Sequence, residues 1–182
     1  MGRRRMGSVL VLGLLAAGCA GTFAEVTPLS DGSARPERPQ ILVVGEVRVT
    51  NPAWEPLRMQ LTKGVADWFT KNGGFQSVLT EPGATSPPDG VVLTGTITEI
   101  EEGNAALRVL VGMGAGQAKA KGDFEIRRPD GAVLTKFTAR RSYLGGVGMG
   151  GAGFIDMGEL VRRLGESVAE TTAKWARGEK PQ

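Results

Sequence analysis

Ala118-Lys119-Ala120-Lys121-Gly122-Asp123-Phe124-Glu125-Ile126-Arg127, followed by Arg128-Pro129-Asp130-Gly131 and Ala132-Val133-Leu134-Thr135-Lys136-Phe137, is the stretch that decides the fold. Side chains of a strand alternate between faces. Ala118, Ala120, Gly122, Phe124 and Ile126 therefore share one face, and Lys119, Lys121, Asp123, Glu125 and Arg127 share the other. An apolar face backed by a charged one describes a half-buried strand of an antiparallel meander. Asp130-Gly131 is the strongest short hairpin signal in the chain. With those two residues as the loop, Phe124 lies opposite Phe137 on the inner face and Glu125 opposite Lys136 on the outer face. Both are sensible cross-strand pairs.

Toward the N-terminus, Ala105, Leu107, Val109 and Val111 also alternate. A loop over 112–117 pairs Val111 with Ala118 and Val109 with Ala120 and keeps the inner faces aligned. A loop one residue shorter sets Val109 against Lys119 and is disfavoured, because a one-residue slip exchanges the two faces. Strand character extends over 91–100, and Ile41-Leu42-Val43-Val44-Gly45-Glu46-Val47-Arg48-Val49 reads as a strand rich in β-branched residues. Asn51-Pro52 supplies a helix N-cap followed by proline at the first helical position. Trp54, Leu57, Leu61, Val65 and Trp68 then form one apolar stripe, and Asn72-Gly73-Gly74 ends the helix. A short strand over 75–80 and a Pro/Ser/Gly loop over 81–90 follow. Toward the C-terminus, a last helix starts near Asp156, with Glu159 three residues on as in a capping box. Met157, Leu160, Val161, Leu164, Val168 and Trp175 supply its stripe. The expected order is β-α-β-β-β-β-β-α: an α+β domain over 41–178, with a mostly antiparallel sheet of about five to six strands and two helices on one face.

The N-terminus has the parts of a signal peptide over 1–18. Arg3, Arg4 and Arg5 form a basic region, an apolar run follows, and Leu15-Ala16-Ala17-Gly18 leads into Cys19, the only cysteine of the chain. That order is similar to a bacterial lipoprotein signal, in which the cysteine is lipidated and becomes the new N-terminus. The apolar run is about half of the ~20 residues a spanning helix needs. Residues 19–40 read as a flexible tether, because Gly, Ser, Thr, Pro and charges dominate there and bury too little to offset ordering.

Composition excludes several functions. Three of the 22 basic residues belong to the signal, so the mature chain balances 19 basic against 19 acidic residues. A strongly basic surface for nucleic acid is absent on that count. The chain has no histidine, which removes the usual zinc sites and Ser–His or Cys–His nucleophile pairs. No metal and no cofactor is expected.

Leu144-Gly145-Gly146-Val147-Gly148-Met149-Gly150-Gly151-Ala152-Gly153-Phe154 contains a G-x-G-x-x-G match. Because the helix after it is the last element, no second parallel strand can complete a nucleotide-binding unit. The bland reading is a turning connection. The sharper one is an apolar interaction loop over Gly145 to Phe154, since an exposed apolar patch marks a partner or membrane contact. Glu99, Glu101 and Glu102 read as a solvated strand end rather than an acid–base pair. Trp54, Trp68 and Trp175 read as core. Arg127, Arg128, Arg140 and Arg141 are candidates to approach one another across the hairpin, but a charged strand face with Asp123 and Glu125 nearby is the simpler account.

The lipobox, the segment Leu107-Arg108-Val109-Leu110-Val111-Gly112-Met113-Gly114-Ala115-Gly116, the strand after it and the glycine-rich stretch before the closing helix together resemble the bacterial lipoproteins of domain-of-unknown-function family 4410. The resemblance covers about 41–177. It implies a class of envelope lipoprotein and transfers no catalytic residue. The expected function is that of a non-enzymatic envelope lipoprotein, anchored through Cys19. It would act as a binding or assembly module for an envelope protein, with Ala20 after the cysteine favouring the outer membrane, facing the periplasm. The alternative is a small-ligand carrier or enzyme that uses the glycine-rich loops.

Overall fold

The structure, a computed structural model, describes residues 21–30, 39–81, 84, 87–103, 117–144 and 156–179. Its elements are β1 (Gly21–Pro28), β2 (Ile41–Val49), a 3-10 turn (Pro52–Trp54), α1 (Glu55–Asn72), β3 (Ser77–Leu79), β4 (Val91–Glu101), β5 (Ala118–Arg127), β6 (Val133–Leu144) and α2 (Met157–Arg177). Among the described residues the sheet has six strands in the order β1-β6-β5-β4-β2-β3. Both helices lie on one face of it and join the inward side chains in a single core cluster. The α+β class and the helix-on-one-face arrangement are as expected.

Three expectations need correction. The sheet is mixed: β2 runs parallel to both β3 and β4, while β4, β5, β6 and β1 are antiparallel. The reason is α1, which carries the chain back along the sheet after β2, so that β3 starts where β2 started and runs alongside it. Next, part of the expected 19–40 tether is a strand. β1 pairs with β6 from Gly21↔Leu144 to Pro28↔Phe137, and Val26 packs against the core. The free edge of β6 supplies the hydrogen bonds that this polar segment lacks by itself. Finally, the proposed pairing of Val109 with Ala120 is excluded, because Ala120 already has Ile100 on one side and Arg141 on the other. The strand expected over 105–111 lies outside the described residues.

The decisive hairpin register holds: Phe124 faces Phe137, and Glu125 faces Lys136. The turn reaches it by a different route. Gly131 N–H donates to Arg128 C=O and Arg128 N–H to Ala132 C=O, which makes Pro129-Asp130-Gly131 a three-residue loop, with Gly131 at φ 89. A left-handed residue there suits glycine. The extra loop residue is offset by a bulge at Leu134, after which Ile126 pairs with Thr135.

Helix ends follow local chemistry. Asn51 Oδ1 accepts from Ala53 N–H ahead of α1, and Asp156 Oδ1 accepts from Glu159 N–H at the start of α2. On α2, Leu160, Val161, Leu164, Val168 and Trp175 are buried as the stripe requires. On α1 the stripe is shallower: Leu61, Val65 and Phe69 are buried, whereas Trp54, Leu57 and Trp68 are half-buried at the core margin.

Between the helices, side chains give way to backbone. A Cβ on Gly64 would stand 1.9 Å from the Arg162 carbonyl oxygen, and one on Gly165 would stand 2.2 Å from the Leu61 carbonyl oxygen. Each helix thus offers a glycine to the other's main chain. Beneath them the Phe124 ring lies across Gly95 and Gly122, where added Cβ atoms would stand 2.3 and 2.8 Å from it. The ring stacks on Phe137 at 5.7 Å.

Alanine at Gly64 or Gly165 gains about 1 kcal/mol of helix propensity. It also forces two backbones apart, an overpacking strain of about 1–3 kcal/mol or more. We expect Gly64→Ala and Gly165→Ala each to lower the urea midpoint, and the double variant to cost less than their sum, because the first separation relieves the second contact. Phe124→Ala is expected to cost about 3–5 kcal/mol in the same assay.

Candidate functional site

Cys19 and the loop Gly145 to Phe154, the residues singled out from the sequence, lie outside the described residues, as does the G-x-G-x-x-G match. What the structure places is the frame around them and the sheet face opposite the helices. That face owes its polarity to bulges. In β2 the register slips between Val44 and Val47, so both valines point inward while Glu46 and Arg48 point out. In β4 it slips between Ile97 and Glu99. Were Thr98 a regular member of the strand instead of the bulged residue, strict alternation would drive Glu99 and Glu101 into the core behind Ile97. With the bulge they emerge on the outer face and Ile100 turns inward.

The outer side chains then neutralise one another. Lys119 Nζ bridges Glu99 at 2.6 Å and Glu101 at 3.0 Å. Lys136 and Arg127 both hold Glu125, and Arg140 stands 3.6 Å from Glu25. Thr138 Oγ1 donates to Asp123 at 2.6 Å. The Lys119 ammonium holds the Glu99 carboxyl below its ordinary range, and Lys136, with Arg127, does the same for Glu125. Glu99 stays ionised near neutral pH and has no proton to give as an acid; Glu99 and Glu101 form a structural ion-pair fork. Two shallow depressions lie on this face, of about 500 Å³ around Thr94, Thr96 and Glu125 and about 290 Å³ around Glu99, Lys121 and Arg140. Among the described residues no group of three or more carboxylate or thiol ligands converges.

The four arginines grouped from the sequence do not meet. Arg127 turns to Glu125 and to the Gly131 carbonyl at the hairpin, with Arg128 exposed beside it. Arg140 points outward, while Arg141 points toward the helices and donates from Nε to the Arg163 carbonyl at 3.2 Å. Burial lowers the Arg141 pKa. Trp175 is buried core as read, and Trp54 and Trp68 are packed at its margin. Missed altogether were Gly64 and Gly165. Their one signal was a glycine inside each helical pattern, which lowers helix propensity without an evident local reason.

The described residues define a class: a two-layer α+β domain with one helix-covered sheet face and one face of matched charges. A family model described as a domain of unknown function, DUF4410, matches residues 58–146, inside the 41–177 span of the resemblance. Those residues, just under half of the chain, are similar to that domain. No curated protein matches it. Among solved structures, the PelC dodecamer from Paraburkholderia phytofirmans is 13% identical, covering 88% of this chain and 100% of that one at a TM-score of 0.46. A point variant of the same dodecamer gives 12%, 87%, 100% and 0.47. A minor lipoprotein from Acinetobacter baumannii is 16% identical, covering 81% of this chain and 99% of that one at a TM-score of 0.36.

The strongest electrostatic shift lies on α2. Arg162 and Arg163 bind Glu159, whose pKa falls from 4.5 to about 2. A carboxyl with a depressed folded pKa stabilises above its unfolded value and loses that contribution as pH falls through the folded one. The window is therefore pH 4.5 down to about 2. The carboxylate is a third exposed, so screening limits the effect to about 1 kcal/mol. Glu159→Gln is expected to lower stability at pH 7 and to flatten its decline between pH 4.5 and 2, read by urea unfolding at each pH.

Proposed function

We propose that the chain is a non-enzymatic envelope lipoprotein, anchored through Cys19 and serving as a binding or assembly module for an envelope protein. The observation that carries this reading is the ordered signal: Arg3, Arg4 and Arg5, an apolar run, and Leu15-Ala16-Ala17-Gly18 ahead of the lone Cys19. The match to DUF4410 agrees with it. No helix among the described residues is long and apolar enough to cross a membrane, so a lipid is the anchor this reading needs. The outer membrane, facing the periplasm, is the proposed site, since Ala20 stands where an aspartate would favour inner-membrane retention.

The loop from Gly145 to Phe154 is the proposed contact with the partner. It has six glycines among 145–153, yet Val147, Met149, Ala152 and Phe154 make it apolar, unlike a solvated linker.

Cys19→Ala is expected to move the protein from the membrane fraction to the soluble one; persistence in the membrane overturns the anchor. For the loop, the lipidated protein is recovered from its native envelope with 145–154 intact or replaced by a Ser/Asn linker of equal length. Loss of a partner from the folded variant supports the assignment. Equal recovery of the same partners makes the loop a connector.

A further inference from the structure

We infer that the domain sits directly on the bilayer, with the end of the sheet where β1 begins as its membrane-facing end. This rests on the reading of Cys19 as the lipidated residue. A single residue, Ala20, separates Cys19 from Gly21, the first residue of β1. An extended chain covers at most ~3.6 Å per residue, so Gly21 lies within ~7 Å of the acylated position. Gly21 cannot drift away on a tether, because it belongs to an unbroken ladder with β6 that runs from Leu144 to Phe137. The Pro-rich segment that reads as a tether comes after β1 in the chain. It therefore does not separate the anchor from the domain.

The register determines what else shares that end. Gly21 faces Leu144, Tyr143 faces Ala118, and Lys119 faces Glu101. The last residues of β4 and β6 and the first of β5 therefore stand beside the first of β1. Because β2 is parallel to β4, its C-terminal end and the Asn51 cap come to the same side. The Pro129-Asp130-Gly131 turn and the start of β2 lie at the far end, about 30 Å away along β5 at ~3.3 Å per residue.

A lipid surface is the partner this end fits. An acyl group on Cys19 is buried in lipid, and the short reach from it to the Gly21–Leu144 pair brings this end of the sheet against the bilayer. The mature chain carries no formal net charge, so this contact does not depend on anionic lipid.

The test uses the full lipidated protein in phosphatidylcholine vesicles. Acylation consumes the only native thiol, so a cysteine introduced at exposed Glu102 (near end) or exposed Ala132 (far end) is the sole labelling site. Each variant, Glu102→Cys and Ala132→Cys, receives a fluorophore, and the vesicles contain lipid with a nitroxide on the headgroup. Vesicle flotation separately reads anchoring. We expect both variants to float and the label at position 102 to be quenched at least threefold more than the label at position 132. Equal or reversed quenching in floating protein overturns the orientation while leaving the anchor intact. Protein that fails to float overturns both.

Discussion

Backbone-to-backbone contact between α1 and α2 is the constraint on which the rest of the molecule depends. Gly64 admits the Arg162 main chain and Gly165 admits the Leu61 main chain, and neither contact tolerates a methyl group. Helices held that close act as one layer. They present Leu61, Val65, Leu164 and Val168 together to the sheet, where Phe124, Phe137, Leu93 and Ile97 fill the remaining space. Interiors are packed as densely as organic crystals, so a change of separation here propagates to the seat of Phe124 across Gly95 and Gly122. Glycine answers the same problem in both layers. Where a helix or a ring must approach main chain, the side chain in the way is removed.

The bulges do complementary work on the other side of the sheet. Strict alternation in β2 and β4 would have sent Glu46, Glu99 and Glu101 to the helix face. One extra residue in each strand reverses the phase and places every one of them outside. There Lys119 meets Glu99 and Glu101, and Glu125 meets Lys136 and Arg127. Exposed pairs of this kind add little stability each. Their consequence is a sheet face without a dominant sign of charge. The pairing of β1 with β6 ties the N-terminal segment 21–28 into this sheet along its whole length.

Several features were legible in the residues alone because they rest on local rules. Period-two alternation in 118–127 and the Asp130-Gly131 turn gave the Phe124–Phe137 register. Asn51-Pro52 and Asp156 marked the helix starts, and the apolar stripe of α2 marked its buried face. The signal-like order of residues ahead of Cys19 is legible for another reason: it is a linear pattern, and reading it does not wait on folding. The stretch 145–154 was legible only as composition, many glycines with apolar residues between them.

The remainder was decided by contacts between distant segments. The residues of β1 are too polar to form a strand alone, and their partner lies more than a hundred residues away on β6, so only the assembled sheet reveals a free edge to complete. The direction of β2 follows from where α1 delivers the chain, a matter of three-dimensional path. Leu134 compensates a three-residue turn that looked like a two-residue one, and the same register resulted because burial of Phe137 outweighs the detail of the loop. Gly64 and Gly165 look like weak points of two helices until each is set against the other's main chain. Local propensity and alternation determined which segments are strands and helices and which faces are apolar. The tertiary structure alone decided which strand edges meet and how closely the helices approach, because those depend on pairs of surfaces that no single stretch of sequence contains.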